Sequence, residues 1–266
     1  MTRIGCIGLG NMGGLLARLI AKSHGENLLL ANRSPEKAIA ISQEIGGQIA
    51  TNEEVFAQAE VIFLGVKPAQ FEALLTQHRA ILEKRSSVLF ISMAAGLSLA
   101  QLEKMVPSQH RFIRMMPNTP VAVGAGVISY ALGLGVSESD QQLFSELLTG
   151  SAEFILLDEK QLDAATALAG CGPAFVYPFI EALSDAGVEQ GLLRDVALKM
   201  AAQTVLGAGK MVLETKEHPA VLKDQVCSPG GSTIAGVASL EKTGFRGSVI
   251  EAVSKAYART QELGKK

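Results

Sequence analysis

Short apolar runs alternate with amphipathic stretches along residues 1–158. Eight runs have the length and residue types of β-strands, at 3–7, 27–31, 48–50, 61–66, 87–92, 112–115, 127–130 and 154–157. Between them apolar residues recur at helical spacing, as Met12, Leu16 and Ile20 do. Strands alternating with helices predict an α/β fold with a parallel, doubly wound sheet.

Two helix starts are marked by hydroxyl residues. Ser34 followed by Pro35 is typical of an N-cap with proline at the first helical position. Ser98 with Gln101 three residues later has the spacing of a capping box.

The character of the chain changes at about residue 159, where strand-like runs stop. Four helical patterns follow, at 161–187, 193–214, 233–243 and 245–263, and the second is rich in alanine and glycine. We therefore predict two domains, 1–158 and an all-helical 159–266. A helical half this apolar favours burial against a second subunit, so we expect a homodimer. Packing on its own chain alone is the alternative.

The first predicted strand leads into a GxGxxG loop. Gly8 permits the tight turn, Gly10 lets the backbone approach a pyrophosphate, and Gly13 lets the following helix pack close to the strand. The free N–H groups of the helix N-terminus attract phosphate. Because strand, helix and second strand lie where a βαβ unit requires them, the loop predicts a dinucleotide site. Its candidate cofactor contacts are Ile7, Gly8, Gly10, Asn11, Met12 and Gly13.

The end of the second strand indicates the cofactor type. NAD-specific sites place an acidic residue there, whereas this chain has Asn32, Arg33 and Ser34. No carboxylate repels a 2′-phosphate, and Arg33 can neutralise one. NADP(H) is therefore favoured, with NAD(H) as the alternative. The alternative is that Arg33 is an ordinary exposed arginine with no role in cofactor binding.

Three further loops follow predicted strands, at 65–68, 92–96 and 116–120. In open α/β sheets, ligands bind beyond the carboxyl ends of the strands. We therefore expect these loops, Asn118 among them, to line the cofactor and nicotinamide pocket. Proline residues that simply end strands would give the same pattern.

A second glycine-rich loop occupies residues 224–236 in the helical half. Pro229, Gly230 and Gly231 are flanked by hydroxyl residues and precede a helical pattern. Such a loop suits an anion. Because the first loop accounts for the dinucleotide phosphates, this one is free for a substrate carboxylate. An ordinary capped helix after a turn is the alternative.

Composition excludes several classes of protein. Hydrophobic residues make up 48% of the 266 residues and the net charge is −2, so a packed core is expected and nucleic acid is not an expected partner. Cys6, Cys171 and Cys227 lie far apart, which predicts neither a disulfide framework nor a metal site and suits the cytoplasm. The uncharged stretch 164–180 contains two glycines and two prolines, which favours a buried helix over a membrane span.

Together these motifs resemble the pyrroline-5-carboxylate reductase family over essentially the whole chain. The resemblance rests on the first glycine loop, 66–68, 116–120, 170–174 and, most specifically, 228–236. Cysteine stands at 171 and 227, where the family often has serine or threonine. The resemblance implies an N-terminal Rossmann domain and a helical C-terminal dimerisation domain, with the site between them and shared by two chains. Some members assemble further, so a decamer is the alternative to a dimer.

The resemblance also implies an activity and site residues. Hydride from NADPH or NADH would reduce the C=N bond of 1-pyrroline-5-carboxylate to give L-proline, the last step of proline biosynthesis. Thr233 would be the catalytic residue, as a hydrogen-bond donor to the ring nitrogen. Cofactor contacts would include Ser34, Asn52, Val66, Lys67, Pro68, Met93, Ala94 and Ala95. Substrate contacts would be Gln225, Ser228, Gly231, Ser232 and Thr233.

Two other functions share the first loop. A β-hydroxyacid dehydrogenase would need a lysine and an asparagine four residues apart, but Lys199 is followed by Gln203 and Lys210 by Glu214. A non-catalytic NADP-binding sensor would keep the first loop but would have no need of residues 228–233.

Overall fold

The computed structural model describes residues 2–263, which form two compact units. The sheet unit contains residues 2–170 and 257–263, and the helical unit contains residues 171–256. This division lies beyond the predicted boundary between residues 158 and 159. Residues 159–170 group with the sheet because Leu162 belongs to its buried core and Ala167 is also buried.

The sheet has eight strands, one for each predicted run. They are β1 Ile4–Ile7, β2 Leu28–Ala31, β3 Gln48–Ile49, β4 Val61–Leu64, β5 Leu89–Ser92, β6 Arg111–Pro117, β7 Gly126–Leu132 and β8 Ala152–Leu156, in the order β3-β2-β1-β4-β5-β6-β7-β8. Every residue of β1, β2, β4 and β5 is buried. Such continuous apolar runs are expected of parallel strands covered on both faces.

The sheet is parallel, as predicted, except at one edge. β7 pairs antiparallel with β6, and β8 pairs parallel with β7, so these two strands run opposite to the other six. Residues 118–125 join β6 to β7 through a 3₁₀ turn, Thr119–Val123, that ends at Gly124 in the left-handed region. A parallel crossover needs a dozen or more residues, so this short connection can only form a hairpin.

Eight α-helices lie wholly within residues 2–170 of the sheet unit. They are α1 Asn11–His24, α2 Pro35–Ile45, α3 Asn52–Gln58, α4 Phe71–Gln77, α5 Arg79–Leu82, α6 Leu99–Lys104, α7 Glu138–Leu147 and α8 Leu162–Ala165. The predicted capping box is confirmed, with both bonds between Ser98 and Gln101 present. Ser34 caps α2 by position, but its hydroxyl accepts no capping bond and is left available.

The core of the sheet unit consists of two apolar clusters, one on each face of the sheet. Alternate strand residues divide between them: Phe63 belongs to one cluster, while Ile62 and Leu64 belong to the other. This alternation is expected because successive side chains of a strand point to opposite faces of the sheet.

Just before the helical unit, the chain contains a break that the sequence pattern did not predict. Residues 161–187 were expected to form one helix, but a π-helical turn, Thr166–Gly170, separates α8 from α9 Gly172–Glu189. Proline at the first turn of α9 is compatible with a helix start there. The remaining helices are α10 Arg194–Thr215, α11 Pro219–Gln225, α12 Ser232–Lys242 and α13 Phe245–Leu263. The short α11 was also not predicted.

Candidate functional site

The first glycine loop has the conformation that its spacing predicts. Gly8 has φ +89°, and a Cβ there would lie 2.7 Å from the backbone of Gly65 and Val66. A Cβ on Gly13 would overlap the carbonyl oxygen of Gly8, because α1 starts directly against the loop. A Cβ on Gly10 would meet no atom within 4 Å. Gly8 and Gly13 are therefore needed by the fold, whereas Gly10 faces open space in which a ligand can approach the backbone.

Asn32 ties this loop to the end of β2. Its Oδ1 accepts a hydrogen bond from Leu9 N at 2.9 Å, and its Nδ2 donates to Ser34 O at 3.0 Å. One side chain thus holds both the glycine loop and the turn into α2. The predicted position of Asn32 beside the cofactor is compatible with this geometry, but its role in holding the loop was not predicted.

A cleft of about 560 Å³ opens beside the glycine loop, next to the loops that follow β1, β2 and β4. Arg33, Lys37 and Lys67 contribute three cations to its lining, and the lining contains no carboxylate. The cleft is therefore positively charged in a chain whose net charge is −2. This charge and the open backbone at Gly10 suit a phosphorylated dinucleotide.

Nine of the predicted cofactor contacts line this cleft. They are Ile7, Gly8, Gly10, Asn32, Arg33, Ser34, Asn52, Val66 and Lys67. Gly65 also lines the cleft, as expected of the loop at 65–68, whereas six lining residues were not predicted: Lys37, Ala69, Gln70, Ala73, Leu74 and Gln77. Most of these lie on or just before α4, whose opposite face buries Phe71 and Leu75. The helical spacing of 70, 73, 74 and 77 was the signal that could have revealed this wall.

The other predicted cofactor contacts lie outside the cleft lining, and their contacts stay predictions. Met12 packs against the core, and Gly13 and Ala94 are buried. Ala94 N also donates to Ser92 Oγ at 3.3 Å. The remaining members of this group are Asn11, Pro68, Met93, Ala95 and Asn118.

Asn118 joins the β6–β7 hairpin to the π-helical turn. Its Oδ1 accepts from Val127 N at 2.9 Å and its Nδ2 donates to Ala169 O at 3.0 Å. The side chain is 7% exposed, so these bonds satisfy a polar group that burial would otherwise penalise. The structure therefore assigns Asn118 a positioning contact, whereas the sequence suggested only a cofactor contact.

The second glycine loop is a tight turn between α11 and α12. Gly230 has φ +68°, and Gly231 N donates to Ser228 O at 3.1 Å. A Cβ on Gly231 would meet the hydroxyl of Ser228, which would have to rotate away, and would lie 3.2 Å from Ser228 O. Ser232 and Thr233 are the first two residues of α12, whose N-cap, Gly231, has no side chain to cap it.

The predicted substrate contacts lie within this one segment and are largely exposed. Within residues 2–263, no side-chain hydrogen bond forms to the hydroxyl of Ser228, Ser232 or Thr233. These hydroxyls are available to a ligand beside the free N–H groups of α12. Gln225 differs, because its Nε2 already donates to Glu217 Oε2 at 3.0 Å.

The titratable groups that burial perturbs lie in the sheet core. Burial raises the pKa of the Cys6 thiol to about 12, so this cysteine stays neutral and unreactive. Cys171 and Cys227 are free and half-buried. Residues 2–263 contain no cluster of three or more histidine, cysteine or acidic side chains able to hold a metal.

The chain matches two family models and a set of similar proteins. Residues 159–263 match the model described as pyrroline-5-carboxylate reductase dimerisation, and residues 3–96 match the model described as NADP oxidoreductase, coenzyme F420-dependent. The pyrroline-5-carboxylate reductase of Arabidopsis thaliana is 40% identical over 98% of this chain and 95% of that protein. The Escherichia coli enzyme is 40% identical over 99% of this chain and 98% of its own.

The chain belongs to the pyrroline-5-carboxylate reductase family.

Solved structures of the family have the same fold. The pyrroline carboxylate reductase of Plasmodium falciparum, determined with NADP bound, is 34% identical with a TM-score of 0.87, covering 99% of this chain and 98% of that one. The reductase of Coxiella burnetii is 32% identical with a TM-score of 0.88, covering 98% of each chain. The predicted family and the prediction of an oxidoreductase are thus confirmed. Membership sets aside the dehydrogenase and the non-catalytic sensor.

Proposed function

We propose that the protein reduces the C=N bond of 1-pyrroline-5-carboxylate to give L-proline, the last step of proline biosynthesis, with NADPH as the favoured reductant and NADH as the alternative. The observation that carries the proposal is a cationic glycine-loop cleft and a hydroxyl-rich anion loop in one chain of this family. A dinucleotide-binding module alone would have no use for the second loop.

The residues of the cleft fit a phosphorylated dinucleotide. Gly10 leaves open space at the loop, and α1 begins there with free N–H groups that favour phosphate. Arg33 and Ser34 lie at the end of β2, where an acidic residue would favour NAD instead. We place Asn52, Val66 and Lys67 against the same cofactor, because all three line the cleft.

The second loop supplies the groups that a small carboxylate substrate needs. We propose that Ser228, Gly231, Ser232 and the N-terminus of α12 hold the carboxylate, with Gln225 beside them. When bound, NADPH supplies the hydride. The chain has to hold the imine in one orientation, which can itself contribute a large rate factor.

Thr233 is the residue we assign to the ring nitrogen. Its hydroxyl has no partner among residues 2–263 and can donate to that nitrogen. A neutral hydroxyl is a weak acid, so Thr233 orients the imine and relays a proton rather than acting as a strong general acid. No metal is needed because a protonated imine is already electrophilic.

We further propose that the helical unit forms a homodimer. In residues 171–256 only Ser184, Ala197 and Ala201 are buried, while Leu193 and Leu213 are more than 70% exposed. Apolar surface of this extent marks an interface. Two helical stretches, Glu159–Glu189 and Arg194–Thr215, have the length and composition of membrane spans. The family model for the dimerisation domain covers both stretches. We therefore propose that their apolar faces pack against a second copy of the chain. We also propose that the protein is cytoplasmic.

The test is NADPH oxidation followed by absorbance, with and without 1-pyrroline-5-carboxylate, together with chromatographic detection of proline. We expect oxidation only with the substrate and one proline per NADPH consumed. Cofactor binding without turnover would contradict the proposal. Light scattering during the same purification measures the oligomer, with a dimer expected, a decamer as the larger alternative, and a monomer contradicting the interface.

A further inference from the structure

Lys37 lies beside the predicted 2′-phosphate residues but was not identified from the sequence. It is the third residue of α2, after Pro35 and Glu36, and it lines the same cleft as Arg33. Both side chains are exposed, and within residues 2–263 neither forms an ion pair or a side-chain hydrogen bond. Several other exposed arginines do have carboxylate partners, such as Arg79 with Glu83 and Arg194 with Asp185.

The position of Asn32 sharpens the contrast between the two cofactors. In an NAD-specific site, a carboxylate at the end of β2 accepts hydrogen bonds from the ribose hydroxyls. Here Oδ1 and Nδ2 of Asn32 are each engaged, with Leu9 and Ser34. Near the end of β2 the cleft thus offers the unpaired cations Arg33 and Lys37 to a 2′-phosphate. It offers no carboxylate to the 2′-hydroxyl of NADH.

We propose that Lys37 is a further specificity-determining residue, which binds the 2′-phosphate of NADPH together with Arg33. The inference rests on the proposed cofactor of this reductase. A phosphate group carries nearly two negative charges, and an ammonium group pairs with it as a point charge. The 2′-hydroxyl of NADH has no charge to pair with, so Lys37 contributes to the selection of NADPH and not to binding of the part that the two cofactors share.

The direct test measures binding without catalysis. Adenosine 2′,5′-bisphosphate and adenosine 5′-monophosphate are titrated calorimetrically into the full-length protein and its Lys37→Gln variant. We expect about tenfold weaker binding of the bisphosphate, because one charge-assisted contact is lost, and unchanged binding of the monophosphate. Lys37→Arg should restore most of the affinity. Lys84→Gln removes an exposed lysine outside the cleft lining and is the matched control.

Equal affinity of wild type and Lys37→Gln for the bisphosphate would overturn the inference, as would equal weakening of both probes. Steady-state kinetics separate this failure from failure of the proposed function. If wild type reduces 1-pyrroline-5-carboxylate while the variant keeps its KM for NADPH, only the role of Lys37 is wrong. If the bisphosphate binding depends on Lys37 and no reduction occurs, the role of Lys37 holds and the proposed reaction is wrong.

Discussion

The side-chain oxygen of Asn32 accepts a hydrogen bond from the backbone N–H of Leu9, with 2.9 Å between the two atoms. Leu9 lies between Gly8 and Gly10, so this bond joins the glycine loop to the end of β2. The loop must keep its shape to bind either cofactor, and Asn32 holds it in place. In NAD-specific sites the residue at the end of the second strand binds the ribose instead.

Replacement of Asn32 by alanine should therefore weaken the binding of both NADPH and NADH. Loss of the bond frees the loop, and we expect KM to rise by about five- to tenfold for NADPH and for NADH alike. Steady-state kinetics with each cofactor measure this. Lys37→Gln is the contrasting variant, because it should affect NADPH alone. A rise confined to NADPH in Asn32→Ala would show that Asn32 acts on the 2′-phosphate and not on the loop.

Substitution of Gly13 should lower the stability of the fold, whereas substitution of Gly10 should lower cofactor affinity. Gly13→Ala drives a methyl group into the carbonyl of Gly8, so we expect the free energy of unfolding to fall by about 1–3 kcal/mol. Gly10→Ala meets no atom within 4 Å, so stability should hold while NADPH affinity falls. Chemical denaturation and cofactor titration of the two variants test this. Similar stability losses in both would contradict the assignment.

Thr233→Val should separate turnover from cofactor binding. Removal of the hydroxyl deprives the imine nitrogen of its donor, and we expect kcat to fall by about tenfold or more while the NADPH Kd is unchanged. Thr243→Val is the matched control, since the hydroxyl of Thr243 only donates to carbonyl groups near the end of α12. Near-wild-type turnover in Thr233→Val would remove this residue from the mechanism.

Stability should depend on pH through His110. Burial lowers the pKa of His110 below its ordinary value of 6.5, despite its bond to Leu82 O, and Arg85 and Arg111 lower it further. The unfolded chain then takes up the proton first, so stabilisation is complete above about pH 6.5 and is lost as pH falls towards the folded-state pKa. The buried Nδ1 of His110, which takes up the proton, has no hydrogen-bond partner within residues 2–263.

Denaturation of wild type and His110→Gln at a series of pH values from about 8 to about 5 measures this effect. Wild type should lose stability relative to the variant as the pH falls, since glutamine does not titrate. Parallel stability curves for the two proteins would show that His110 does not carry the pH dependence.

The strands and the glycine loops could be predicted because each is encoded locally. Short runs of strand-type residues predicted all eight strands, and the spacing of Gly8, Gly10 and Gly13 predicted the first loop. The direction of β7 could not be read from its residues, because apolar periodicity is the same in either direction. The shortness of residues 118–125 was the available signal.

The parts of the site that escaped prediction depend on long-range contacts. The π-helical turn at Thr166–Gly170 is joined through Ala169 O to Asn118, far away in sequence. The α4 wall is defined by which face Phe71 and Leu75 bury, so the residues lining the cleft follow from tertiary packing. Lys37 was missed for a similar reason, since only the cleft shows that it lies beside Arg33.

The most direct measurement of the central claim follows the hydride itself. NADPH deuterated at the reactive C4 position is incubated with the protein and 1-pyrroline-5-carboxylate in ordinary water, and the proline is analysed by mass spectrometry and NMR. We predict one deuterium per proline, at the ring carbon that was doubly bonded to nitrogen. Proline without deuterium, or no proline at all, would contradict direct hydride transfer by this protein.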